Sequence, residues 1–181
     1  HSGNKDPEIF VAWLRANDLT LTEKTEEEIL IDYFNKVSDY RRGNLDFEFN
    51  SLAVGDDVWG YVEEAFDEEF PFVESHVELT DTSATDYMDY STNTFQSVYI
   101  QAHSNPWMHG FSEEDPVGQG CEWYNPPLPN PFAVCYNSFQ NEDVVDIKPK
   151  GLFYFITGCV SGRFTEQDNL ANWYIFQPEG G

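Results

Sequence analysis

Residues 151–176 read GLFYFITGCVSGRFTEQDNLANWYIF, and this stretch decides the fold. The run Leu152 to Ile156 is apolar throughout, Gly158-Cys159 stops it, small residues turn the chain, and Thr165 offers a cap for a restarted helix. The pattern predicts a buried strand that delivers Cys159 to a rim flanked by a helix. Open parallel sheets place their sites at the carboxyl ends of strands, so a thiol there suits a nucleophile. The same thiol equally suits a small buried hydrophobe, the common state of a free cysteine.

The rest of the chain supplies the partners of that strand. After the turn signal Asp6-Pro7, Glu8 to Leu14 (EIFVAWL) reads as a strand. Thr25 and Glu28 have capping-box spacing at the start of a helix. Its apolar stripe of Ile29, Leu30, Tyr33, Phe34, Val37 and Tyr40 is expected to pack on the core, with Arg41, Arg42 and Gly43 as a cationic last turn and stop. Ser51 to Gly55 is a short strand ending at Asp56-Asp57, and Val58, Trp59, Val62 and Phe66 then recur at helical spacing until Pro71. Phe72 to Leu79 alternates as a strand ending at Thr80-Asp81, a short helix starts near Ser83, and Ser97 to Ala102 (SVYIQA) is a strand ending at His103. Strands alternating with helices predict an α/β fold, a mainly parallel sheet with helices on both faces in one domain spanning 1–181. Asp56, Asp57, Asp81, His103 and Cys159 then fall along one edge of the sheet. Ser104 to Lys150 reads as a long irregular loop. It holds seven of the ten prolines, its aromatic residues are expected to pack as a wall, and Phe132 to Phe139 has strand character.

A net charge of -24 does not make this a disordered acidic tail, because 40% of its 181 residues are apolar and 17% aromatic. All nine Lys and Arg lie in 1–42 or 148–163, leaving 44–147 without a basic side chain. Such a field repels nucleic acid and anionic membranes and attracts cations, basic peptides and divalent metal, although it also serves solubility with no ligand at all. No apolar run reaches the ~18 residues that would predict membrane insertion. Cys121 and Cys135 bracket a Pro-rich aromatic loop, an arrangement expected of a disulfide in an extracellular or cell-surface protein.

A thiol and an imidazole at neighbouring strand ends meet the minimum for nucleophilic acyl transfer, and backbone N–H groups around Gly158 to Val160 can hold the oxyanion. His109 is the alternative to His103 as the imidazole. His76 sits among acidic residues and His1 at the start of the chain. No tight His or Cys spacing points to zinc. Asp56, Asp57 and Asp81 offer hard oxygen ligands suited to Ca2+, without the periodicity of a known calcium loop. No cofactor is required for the chemistry.

These residues carry a resemblance. The segments PEIFVAWL, EEEILIDYFNKVSDYRRG, SLAVGDD, VYIQAHSNPWMHGF and GCVSGRFTEQDNLANWYIF are similar to the caspase-like cysteine peptidases, most of all the gingipain-like domains. The resemblance implies a three-layer sandwich with Cys159 as nucleophile and His103 as the imidazole that protonates the leaving amine. It also implies an oxyanion hole from backbone N–H groups near Ser104 and Cys159. An acidic pocket at Asp56 or Asp57 would select Arg or Lys before the scissile bond, with Trp107 a further substrate-binding candidate. His103-Ser104 stands where the family has His-Gly, and Ala12-Trp13 where it has Gly-Arg. The family's further strands at both ends lead us to expect a domain incomplete at one or both ends: either the chain is a processed fragment, or a neighbouring chain completes the sheet by strand addition, in an oligomer or filament. The alternative to a peptidase is a non-catalytic domain of the same architecture, serving as an assembly subunit of an extracellular complex.

Overall fold

The computed structural model describes residues 14–45, 50–56, 76–79 (backbone only), 82–111 and 137–177. Four parallel strands form the main sheet: β1 (Ser51–Gly55), β2 (His76–Leu79), β3 (Phe95–Gln101) and, late in the chain, β7 (Gly151–Thr157). They lie in the order β2-β1-β3-β7. The centre of the sheet is built from runs that are apolar or small on both faces. Leu52, Ala53 and Val54 of β1 are fully buried, the Ser51 and Ser97 hydroxyls satisfy each other at 2.5 Å, and Val98 and Ile100 of β3 complete the layer.

Helix α1 (Glu26–Arg42) forms where the sequence places its caps. Thr25 and Glu28 make the reciprocal capping box, and Gly43 closes the helix at φ 70, a left-handed position that glycine takes without penalty. Only part of its apolar stripe reaches the core: Ile29 is buried, Leu30 and Tyr33 pack against the cluster, and Phe34 is exposed. Helix α2 (Ala84–Ser91) starts at a second capping box, Ser83 with Asp86. Its Tyr87 is fully buried, edge-on to Phe139, and shares a hydroxyl hydrogen bond of 2.8 Å with Tyr174.

Residues 104–150 are not the unbroken loop that their prolines predict. Strands β4 (His103–Asn105), β5 (Met108–Gly110) and β6 (Ser138–Gln140) make a small antiparallel sheet, and α3 (Asn141–Ile147) follows directly. The β4–β5 hairpin turns at Pro106-Trp107, where the Asn105 carboxamide oxygen accepts from the Trp107 and Met108 amides at 2.8 and 3.1 Å. A side-chain acceptor folded back on its own backbone in this way is a turn device that three-residue strands hide from any periodicity.

Two further expectations change around β7. The strand is not buried on both faces: exposure alternates along it, and Phe153 and Phe155, which share one face, stand 44% and 43% exposed, while among the described residues it has a hydrogen-bonded neighbour on one side only. The helix after it is α4 (Leu170–Phe176), capped by Asn169, whose side chain accepts from the Asn172 amide at 3.0 Å; residues near Thr165 form turns instead. Asp168 explains the later start. It takes a left-handed φ of 51, and its buried carboxylate accepts from the Thr20 amide, the Thr20 hydroxyl and the Leu21 amide, tying the chain before α1 to the head of α4. At the other end of α4, the Lys36 ammonium donates to the Ile175 and Gln177 carbonyls at 3.3 and 3.0 Å, although burial lowers its pKa to about 8. Among the described residues no helix is long and apolar enough to cross a membrane.

The expected strand at Glu8 to Leu14 and the helix around Val58 to Phe66 lie, but for Leu14, outside the described residues. So do Asp57, Asp81 and the Cys121 and Cys135 pair.

Candidate active site at the sheet edge

Strand register assembles the site. β1 pairs with β3 up to Gly55 opposite Gln101, and β3 pairs with β7 up to Gln101 opposite Thr157. One step past Gly55 is Asp56, whose amide donates to the Gln101 carbonyl at 3.0 Å. Two steps past Gln101 is His103, and two steps past Thr157 is Cys159. Neighbouring strands lie about 4.8 Å apart, so three adjacent strands bring a carboxylate, an imidazole and a thiol to one edge in that order.

Contacts between the strand ends keep this edge tight. Gly158 lies against Ser104: a Cβ built there would stand only 2.7 Å from Ser104 Cβ and 3.2 Å from the Ala102 carbonyl. Any side chain at position 158 would push Cys159 away from the His103-Ser104 segment. On the far side, the Trp107 indole N–H donates to the Gln167 carbonyl at 2.9 Å and the Leu170 amide donates to the Pro106 carbonyl at 2.6 Å. The hairpin that follows His103 is thereby fastened to the loop that follows Cys159.

Cys159 is exposed, with a free thiol. Val160, next to it, holds φ 49 with 55% of its surface exposed. A left-handed β-branched residue is strained by about 1–3 kcal/mol, and here the strain sits in the turn that presents the thiol. The amides of Cys159 and Val160 donate to no acceptor among the described residues, which leaves two N–H groups beside the sulfur for a developing oxyanion. Replacing Val160 by glycine is expected to raise stability by about 1 kcal/mol, strain relief exceeding the added chain entropy. A lower chemical-denaturation midpoint for Val160→Gly would count against the strain.

His103 and His109 divide sharply. His103 is partly exposed, and its Nε2 faces Asp56 Oδ2 at 3.9 Å, the Asp56 side chain being wholly buried. His109 is fully buried between Tyr87 and Tyr174, with Nδ1 on the Ser104 hydroxyl at 2.8 Å and Nε2 without a partner among the described residues. Burial lowers its pKa to about 3, so it stays neutral and serves the core. Among the described residues no three acidic, His or Cys side chains cluster as a metal site. Sequence carries no signal for the Asp56–His103 contact beyond the position of Asp56 at a strand end; its orientation comes only from the β1–β3 register.

A cavity of about 630 Å3 runs beside β7 between α1 and α4, lined by Tyr33, Tyr40, Phe153, Tyr154, Tyr174 and others, with Lys36 and Arg41 at its side. Neither Cys159, His103 nor Asp56 lines it, so these three side chains belong to the sheet edge and not to this cavity. No protein-family model, curated protein or solved structure matches the chain.

Proposed function

We propose that this chain is a cysteine endopeptidase-like domain of caspase-like architecture, hydrolysing peptide bonds with Cys159 and His103. One observation carries the reading: adjacent parallel strands β3 and β7 end in matched register at an imidazole and an exposed thiol. His103 takes the proton from Cys159 Sγ, and the sulfur pair attacks the scissile carbonyl carbon while the C=O π pair moves to oxygen. The amides near Ser104 and Cys159 receive the oxyanion. Collapse re-forms the carbonyl and breaks the C–N bond, the proton on His103 passing to the leaving amine. Water, giving a proton to His103, attacks the thioester; the S–C bond breaks, the acid leaves, and the proton returns to sulfur. The strongly acidic surface supports a preference for basic residues before the scissile bond.

The exposed Phe153 and Phe155 on β7 favour a second reading, a non-catalytic assembly subunit of an extracellular complex. Reaction with a peptidyl acyloxymethyl ketone carrying Arg or Lys next to the ketone separates the two. Labelling of Cys159 is expected, with His103→Ala slowing it about 10²-fold or more. An unchanged rate in His103→Ala would overturn the dyad in favour of the assembly role.

A further inference from the structure

The cavity beside β7 reverses the charge balance of the chain. The chain carries 33 Asp and Glu against nine Lys and Arg. Yet the described residues lining these about 630 Å3 include two cations, Lys36 and Arg41, and no acidic side chain. The walls are aromatic, made by Tyr33, Tyr40, Phe153, Tyr154 and Tyr174. These rings brace one another, with Tyr154 stacked on Tyr174 at 4.5 Å and Tyr40 edge-on to Phe153 at 5.4 Å, so the space is formed before any ligand enters. A cavity of this size, with apolar walls and a few convergent polar groups, has the build of a small-molecule site. Lys36 has capacity to spare there. Two of its three N–H groups go to the Ile175 and Gln177 carbonyls at 3.3 and 3.0 Å, which leaves a third for a ligand. Among the described residues neither Lys36 nor Arg41 makes an ion pair. Burial lowers the Lys36 pKa to about 8, as expected of an ammonium that has left water without a counter-ion, and at pH 7 it is still mainly charged.

We propose that this cavity binds a small aromatic carboxylate, its flat body between the tyrosine and phenylalanine rings and its carboxylate at Lys36 and Arg41. A neutral aromatic molecule gains only the burial and ring contacts. The acid also supplies the counter-ion that Lys36 lacks, through charge-assisted hydrogen bonds that are stronger than neutral ones. Elsewhere the acidic surface repels such an anion, so the two cations and the absence of acidic side chains single out this site. Ser161 and Gly162, in the turn after Cys159, line the cavity, but Cys159 does not. The site is therefore distinct from the sheet edge, and the proposal does not depend on the dyad.

A matched pair of probes tests it on the full chain. 2-Naphthylacetate and its uncharged primary amide, alike in shape, are titrated at pH 7 into 15N-labelled protein and followed by 15N–1H correlation spectra. The acid is expected to give saturable shifts centred on lining residues such as Lys36, Tyr154 and Ala171, and to bind about tenfold more tightly than the amide. Lys36→Met keeps much of the side-chain length without the charge and is expected to bring the acid down to the affinity of the amide. Arg41→Gln, at an exposed position, is expected to weaken the acid about two- to threefold. Neither variant should change binding of the amide. The comparison of acid with amide is made on the wild type, so it decides the matter even where Lys36→Met fails to fold. Equal affinity for the two probes, shifts centred away from the lining, or no saturable shift with the acid would each overturn the proposal. So would a folded Lys36→Met that binds the acid as the wild type does.

Discussion

Acidification from pH 7 to pH 4 is expected to cost the fold about 3 kcal/mol through His109 alone, and His109→Phe is expected to lose that component. The ring is fully buried, and desolvation lowers its pKa to about 3 against about 6.5 in the unfolded chain. Below pH 6.5 the unfolded state binds a proton that the folded state refuses until about pH 3. The stabilisation is therefore complete above 6.5 and shrinks as pH falls toward 3. Desolvation is the cause of the shift, with no charged partner at the ring among the described residues. Tyr174 stacks on the imidazole at 5.9 Å and Tyr87 meets it edge-on at 6.5 Å, and burial pushes both phenols well above their ordinary range, so they stay neutral. Phenylalanine fits a site walled by rings and removes Nε2, a buried atom without a partner among the described residues. Ser104 keeps its bond to the Ala102 carbonyl at 3.2 Å. Urea unfolding of both proteins at the two pH values isolates His109 from the titration of the 33 Asp and Glu residues, which are common to both. Equal pH dependence in the two proteins would show that His109 is not the buried base its surroundings make it.

Legibility in the sequence followed the length of the apolar signal. β1, β3 and β7 declare themselves because five to seven consecutive residues per strand are apolar, small or alternating, and their parallel pairing follows from the helices between them. The placement of Asp56, His103 and Cys159 on one edge was readable for the same reason: each is the first chemically distinctive residue after such a run. Beyond that, tertiary contacts decided. The β4–β5 hairpin has three-residue strands of mostly polar character, and an Asn side chain makes its turn. Thr165 and Asn169 are both competent caps, and the bonds from Thr20 and Leu21 to Asp168 select the later one. Whether β7 is central or terminal is a property of the sheet and leaves no mark on its composition. The two histidines differ by a single fact that no spacing encodes, which of them the hairpin turns into the core.

Gly158→Ala is expected to destabilise the chain by up to about 3 kcal/mol and to slow labelling of Cys159, and the reason is space. Among the described glycines only Gly43 has a positive φ, so alanine meets no backbone penalty at 158. What it meets is Ser104. The added methyl would stand 2.7 Å from Ser104 Cβ, an atom held by the pairing of Ser104 opposite His109 in the β4–β5 hairpin, and 3.2 Å from the Ala102 carbonyl. The nearest atom, the Ser104 hydroxyl, can turn away only by leaving His109 Nδ1, and the other two are not side-chain ends at all, so relief requires the strand ends to part. Ser104→Gly removes the obstructing side chain at a cost of its own, because the buried Nδ1 of His109 loses its partner. The double variant is therefore expected to be less stable than the wild type, yet the penalty for Gly158→Ala should be about 1–3 kcal/mol smaller in the Ser104→Gly background. Chemical denaturation of all four proteins measures that coupling directly. Additive penalties would mean that Gly158 is required for some reason other than contact with Ser104, and the close approach of the two segments would no longer account for how the ends of β3 and β7 are held together.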